Sequence, residues 1–237
     1  MRILSIDIGG SGLKASVIDE TGKMLTQRLR VETPHPCPPA VLLREVVALV
    51  KPLPEFDCIS VAFPGVVREG KVLTAPNLGT ADWAGFALAA ALSKRLGNKP
   101  VKMVNDAEMQ GLGIIRGKGL EFVLTLGTGA GTALFRDGEA APHMELGQHP
   151  AHGDQTYDQY IGRAALEKFG KHRWNKHVET AIKQLDTLLN FDLLHIGGGN
   201  SKHVTFKLPP NARIESNDAG IEGGAALWRS PKKAPAK

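Results

Sequence analysis

Twice in this chain an apolar strand runs into a glycine-rich turn and returns as a second apolar strand. The first copy is Ile3-Leu4-Ser5-Ile6-Asp7-Ile8-Gly9-Gly10-Ser11-Gly12-Leu13-Lys14, continued by the apolar segment Ala15 to Ile18. The second is Leu124-Thr125-Leu126-Gly127-Thr128-Gly129-Ala130-Gly131-Thr132-Ala133-Leu134. Glycine lets a backbone approach a phosphate closely and aim its N–H groups at it. The repeat is one of pattern, not of residue identity. It predicts two α/β lobes with a ligand between them, where such folds commonly bind. No linker-like stretch separates the halves, so a hinged pair fits better than independent beads.

Turn chemistry and apolar spacing predict the remaining elements. Strands are expected at 2–8, 13–19 and 23–31, with a hairpin turn at Asp19-Glu20-Thr21-Gly22. A proline-rich break precedes a helical pattern over 40–50. A buried strand over 57–63 stops at Pro64-Gly65, and Arg68-Glu69-Gly70-Lys71 reads as a hairpin tip. Helix is expected over 84–96, strand over 101–104 and helix over 107–116. Strands at 121–127 and 131–136 follow, then a hairpin at Asp137-Gly138. Residues 156–190 carry two helical patterns, 193–196 is a strand ending in Gly197-Gly198-Gly199, and 218–228 reads as a closing helix. On this plan the first lobe is 1–106 with the closing helix 218–229, and the second is 107–217. The tail 230–237, with three lysines and two prolines, is expected to be disordered.

Composition narrows the function classes. At 237 residues and 42% hydrophobic, the chain can bury a substantial core. Its apolar runs are too short and interrupted for a membrane span. It enters its first strand without the charged-then-apolar order of a signal peptide. Two cysteines, Cys37 and Cys58, make neither a disulfide framework nor a zinc cluster, which points to the cytoplasm. The net charge of +5 falls to +2 without the three tail lysines, too mild to call for nucleic acid.

Five segments bear on chemistry. An acid at the mouth of the first turn, Asp7, suits the Mg²⁺ that accompanies phosphates. The second turn alternates Gly and Thr and forms a nest of N–H groups with hydroxyl donors, though a plain hairpin bulge would look similar. Gly197-Gly198-Gly199 is either a flexible strand-to-helix turn or room for a flat adenosine or for more phosphate. Asn105-Asp106 ends a strand and begins a helix. It is either a helix N-cap or a general base that takes a proton from an attacking hydroxyl. In the second case the helix N-terminus is expected to keep Asp106 ionised. Glu145 is either an ordinary loop acid or an acceptor for a hydroxyl-rich ligand such as a sugar. His149, His152 and Asp154 make a poor metal site, without helical spacing or nearby cysteines.

Taken together, these segments resemble the ROK family of sugar kinases, within the actin-like ATPase superfamily, and its polyphosphate glucokinase branch in particular. Phe63-Pro64-Gly65-Val66-Val67, Ala75-Pro76-Asn77-Leu78, Glu145-Leu146-Gly147 and Asn217-Asp218-Ala219-Gly220-Ile221-Glu222-Gly223-Gly224-Ala225 join them in family order. The resemblance implies a two-lobed α/β, ribonuclease H-like fold with the active site in the interlobe cleft. It implies transfer of a phosphoryl group from ATP or inorganic polyphosphate, with Mg²⁺, to the 6-hydroxyl of glucose or a related hexose. Asp106 would be the catalytic base. Asp7 would hold Mg²⁺. Gly9, Gly10, Ser11, Gly12 and Lys14 would hold phosphate with Gly127, Thr128, Gly129 and Gly131, and Gly197, Gly198 and Gly199 would border the donor. Gly65, Asn77, Asn105, Glu145 and Gln148 would line the sugar subsite. A homodimer is the family's common state.

The pattern departs from the family in three places. Family members carry His directly after Glu-Leu-Gly, where this chain has Gln148 and then His149. The cysteine-rich zinc loop of many members is missing, so no structural zinc is expected, as in polyphosphate glucokinases. Residues 150–190 match the family poorly. The alternatives are a non-catalytic sugar-binding regulator or another ATPase of the superfamily. A polyphosphate donor would favour a basic track, for which Arg68, Lys71, Lys94, Arg95, Lys99, Lys102, Arg116 and Lys118 are candidates.

Overall fold

The computed structural model describes residues 1–216 and 219–229. The first half runs β1 (Arg2–Gly9), β2 (Gly12–Asp19), β3 (Leu29–Val31), α1 (Pro39–Val50), β4 (Cys58–Phe63), a small hairpin of β5 (Val67–Arg68) and β6 (Lys71–Val72), α2 (Thr80–Trp83), α3 (Leu88–Arg95) and β7 (Val101–Asn105). After α4 (Asp106–Ile114), the second half runs β8 (Leu120–Leu126), β9 (Ala130–Arg136), β10 (Glu139–Ala140), β11 (Pro150–His152), β12 (Gln155–Thr156), α5 (Tyr157–Ile161), α6 (Arg163–Leu189), β13 (Leu193–Gly197), β14 (Ala212–Ile214) and α7 (Ala219–Glu222).

The pattern repeat is a repeat of topology. One five-stranded sheet has the order β3-β2-β1-β4-β7 and the other β10-β9-β8-β13-β14. In each, the first three strands in sequence form antiparallel pairs and the last two add in parallel. All six residues of β4 are buried, as its central place requires. α1 starts on a proline at its first turn, where no intrahelical N–H is needed, and lays Leu42, Leu43 and Val46 on the first sheet.

Several expected boundaries change. The strand expected over 23–31 shrinks to β3, because Met24 makes only an isolated bridge to Ile18 and the Thr26 hydroxyl bonds Val17 N and Ser16 Oγ instead of a ladder. The helix expected over 84–96 begins only at Leu88, after Gly85, whose φ of 78° is left-handed and whose N–H donates to Val72 O. That break seats Trp83 fully buried, edge-on to Phe63 at 5.2 Å. α6 is kinked at Gly170, with φ 70° and ψ 165°. The expected closing helix is one turn, α7, followed by a 3-10 stretch over Gly223–Trp228. Asn217, Asp218 and the tail 230–237 lie outside the described residues.

α4 lies between the two halves. A Cβ on Gly111 would enter the Phe135 ring, and one on Gly113 would sit 2.7 Å from Ala219 O. Small residues therefore let the helix touch β9 on one side and the closing segment on the other. That segment is fastened to the first sheet by buried serines. Ser5 Oγ donates to Ile221 O at 2.8 Å, Ser60 Oγ donates to Gly224 O at 2.7 Å, and Trp228 Nε1 donates to Ser60 Oγ at 2.9 Å. Ile221 and Ala225 join Ile3, Ile18 and Cys58 in a small apolar cluster.

Candidate active site

A cleft of about 500 Å³ opens where the two glycine turns face each other. It is lined by Asp7, Gly9, Gly10, Ser11 and Lys14, by Gly65, Asn77, Asn105 and Asp106, by Gly127, Thr128, Gly129 and Gly131, by Glu145 and Gln148, and by Gly198 and Gly199. Two expected residues are not on its wall. Gly12 closes the β1–β2 turn opposite Gly9, and the Arg30 guanidinium fills the space beside it, 3.1 Å from where a Cβ would lie. Gly197 ends β13 opposite Thr125, and its missing side chain makes room for Gln110.

Register sets the first turn. Asp7 pairs with Lys14 across β1 and β2, so their side chains share a face, and Lys14 Nζ donates to Asp7 Oδ2 at 2.6 Å. Thr33 Oγ1 donates to Gly9 O at 2.6 Å, and His35 Nε2 lies 2.9 Å from Gly10 O. A Cβ on Gly10 would be 3.1 Å from Asn77 Cβ and 3.6 Å from Thr128 Oγ1, so the two turns approach closely. At Gly65 a side chain would collide with Thr74 O.

At Asn105-Asp106 the cap falls to Asn105. Asn105 is the N-cap: its side chain accepts from Ala107 N at 2.8 Å, while Glu108 accepts from Asn105 N at 3.0 Å in a capping box. Asn105 Nδ2 donates to Gly65 O at 3.1 Å. Although Asn105 borders the cleft, its amide is committed to holding α4 and the Pro64-Gly65 bend. Asp106 faces the cleft, with Ala107 N donating to its Oδ1 at 2.9 Å.

Asp106 is not held low in pKa, contrary to the helix-terminus expectation. Enclosure in the cleft and the charge of Asp7, with a smaller push from Glu145, raise it to about 7. The Ala107 N–H and His143 pull the other way and lose. His143, unnoticed in the sequence, lies between Glu108 Oε1 at 3.3 Å and Glu145 Oε1 at 3.4 Å. Burial pulls its pKa down, but the two nearby carboxylates outweigh that and raise it to about 9.

Gln148 does not stand free in place of the family histidine. Its Nε2 donates to Asp158 Oδ2 at 2.7 Å, and Asp158 Oδ1 accepts from Ala130 N at 2.6 Å in the second turn. His149 turns away, its Nδ1 2.9 Å from Pro150 O. The expected basic track is elsewhere. None of Arg68, Lys71, Lys94, Arg95, Lys99, Lys102, Arg116 and Lys118 lines the cleft, and Lys102 Nζ donates to Leu227 O at 2.7 Å. Lys14, Arg28, Arg30, Arg163 and Lys202 line it instead. Arg28 and Arg30 alternate with Leu29 entering β3, a period-2 signal visible in sequence. Asp158 and Arg163 sit in the poorly matching region, where only the fold shows their relevance. Among the described residues, no group of three or more His, Cys, Asp or Glu side chains is arranged to hold a metal ion. No helix there is long and apolar enough to cross a membrane.

Comparison with known proteins agrees with this geometry. The family model described as "ROK family" matches residues 3–155. A polyphosphate glucokinase of Mycobacterium tuberculosis is 30% identical over 236 residues, covering 93% of this chain and 88% of the relative. The crystal structure of an inorganic polyphosphate/ATP-glucomannokinase from Arthrobacter sp. strain KM superposes with a TM-score of 0.84 at 32% identity, over 95% of this chain and 97% of the other. A ROK family glucokinase from Streptomyces griseus, in complex with glucose and AMPPNP, shares the fold with a TM-score of 0.77 at 22% identity, over 96% and 99% of the two chains. The two sheets of this chain therefore form the two-lobed α/β fold of the actin-like ATPases.

Proposed function

Because this chain belongs to the ROK family, we propose that it is a glucokinase-type phosphotransferase. It moves a phosphoryl group from inorganic polyphosphate or ATP to the 6-hydroxyl of glucose or a related hexose in the cytoplasm. The observation that carries this reading is Asp106, whose carboxylate faces a cleft that also holds both glycine turns and Glu145. A base with a pKa of about 7 is matched to accepting a hydroxyl proton at neutral pH.

The backbone N–H groups of the turns, with Lys14, Arg28, Arg30, Arg163 and Lys202, suit a polyanionic donor. Glu145, Asn77 and the Gly65 backbone orient the hexose hydroxyls. Asp106 then accepts the proton of the attacking oxygen as it adds to phosphorus in line with the leaving phosphate. Catalysis on this plan is mainly positioning and charge neutralisation.

The residues present fit Mg²⁺. Magnesium typically takes one or two carboxylates and completes its shell with substrate phosphates and water, and Asp7 is a cleft carboxylate facing the phosphate-binding turns. Bound there, Mg²⁺ would neutralise charge developing on the transferring phosphates.

The test is a two-by-two assay of polyphosphate or ATP against glucose or mannose. Donor-dependent formation of a hexose 6-phosphate is expected. Hexose binding without transfer under any donor would refute the kinase reading and favour a sugar-binding regulator.

A further inference from the structure

His143 has no role in the reading above, yet it occupies an unusual position. It is 9% exposed, and each ring nitrogen faces a different carboxylate. Nε2 is 3.4 Å from Glu145 Oε1 on the loop after β10. Nδ1 is 3.3 Å from Glu108 Oε1 on α4, close enough for an ion pair but outside hydrogen-bond geometry. The other oxygen of Glu108 accepts from Asn105 N at 3.0 Å, within the capping box that sets the first turn of α4. A continuous chain of contacts thus runs from the turn carrying Asp106, through Glu108 and His143, to Glu145. Asp106 is the other titratable group whose charge is felt at the ring, whereas Phe122, Thr132 and Leu134 of β8 and β9, beside it, do not titrate.

We propose that His143 is a positioning residue: a cation clasped between Glu108 and Glu145, it holds Glu145 in register with the helix that bears Asp106. The proposal rests on the kinase reading for its consequence, since Glu145 matters there as a hexose ligand. A ring with a carboxylate at both nitrogens is stabilised in the doubly protonated form, because only that form presents an N–H to each. Loss of its charge leaves one N–H for two carboxylates, so the ring can tie Glu145 or Glu108 but no longer hold the two in register.

The test uses the full chain. Two-bond proton–nitrogen spectra of its histidines, with His143 assigned by its disappearance in His143→Gln, report the ring's protonation without turnover. Both nitrogens are expected to carry protons at pH 7.5, with titration near pH 9. Glu108→Gln retains an oxygen for Asn105 N but removes one charge, so the titration should move down by about one pH unit or more. The KM for hexose in Glu108→Gln should then rise about tenfold between pH 7 and pH 9, with kcat changing less. His143→Gln should show the raised KM at both pH values. A neutral ring at pH 7.5, or a hexose KM indifferent to His143→Gln, would overturn the proposal. A chain inactive on every hexose would instead refute the kinase reading, with the clasp still judged by the spectra.

Discussion

Asp106→Asn should make this protein more stable while removing its activity. In the folded chain, enclosure and the Asp7 charge raise the Asp106 pKa from its ordinary 3.8 to about 7. Across that interval the folded state binds the proton more tightly than the unfolded state, so stability falls as pH rises from about 3.8 to about 7. Above it the full penalty remains. At about 1.4 kcal/mol per pH unit the ceiling is about 4 kcal/mol. Solvent reaching the cleft and Lys14 beside Asp7 reduce this, leaving about 1–3 kcal/mol. Asparagine keeps an oxygen for the Ala107 N–H and carries no charge. Urea unfolding of both proteins without substrate, at pH 5 and pH 8, measures the difference. Asp106→Asn should be the more stable at pH 8, with a smaller advantage at pH 5, and turnover should fall by roughly 10²–10⁴. In the parent protein, kcat/KM should fall on the acid side with an apparent pKa near 7. An equal stability difference at both pH values, or a less stable variant at pH 8, would refute the assignment of Asp106 as a strained, enclosed acid.

Four other outcomes follow from the packing and charge. Ser60→Ala leaves Gly224 O and Trp228 Nε1 without their partner and should cost about 1–3 kcal/mol in the same unfolding measurement. Gly127→Ala meets nothing within 4 Å, whereas a Cβ on Gly223 would strike Met109 O. The first should keep the parental melting temperature with a raised donor KM. The second should lower stability by about 2 kcal/mol or more, read by thermal melting. If polyphosphate is a donor held by Lys14, Arg28, Arg30, Arg163 and Lys202, its KM should climb between 50 and 500 mM salt, while the hexose KM stays nearly flat in the same initial-rate assay.

The parts of the fold readable in sequence are those governed by neighbours in the chain. Both strand-turn-strand units could be read because alternation and glycine act over a few residues. The shared strand order of the two sheets could not, since parallel crossovers leave no local mark. The same limit explains Asp106. Its helix N-terminus is adjacent and visible, whereas enclosure in the cleft and the charge of Asp7, which arrives on another strand, outweigh it. Gln148 stands out as a departure from the family, but its tie to Asp158 appears only when β11, β12 and α5 fold back on the second turn. The basic residues fail for a related reason: charge can be counted in a sequence, but the face that carries it is set by the fold.

The serine-fastened closing segment also bears on the order in which the molecule can be assembled. Ser5 reaches its acceptor at Ile221 across 216 residues, and Ile3, Ile18 and Cys58 find apolar cover in Ile221 and Ala225. A growing chain emerges from the ribosome N-terminus first. The first sheet can therefore pair its strands early, yet the Ile3, Ile18 and Cys58 patch stays without this cover until nearly the whole described chain has been made. Translation that stops before Ala219 would release a first lobe with that apolar patch open, a substrate for chaperones and proteases.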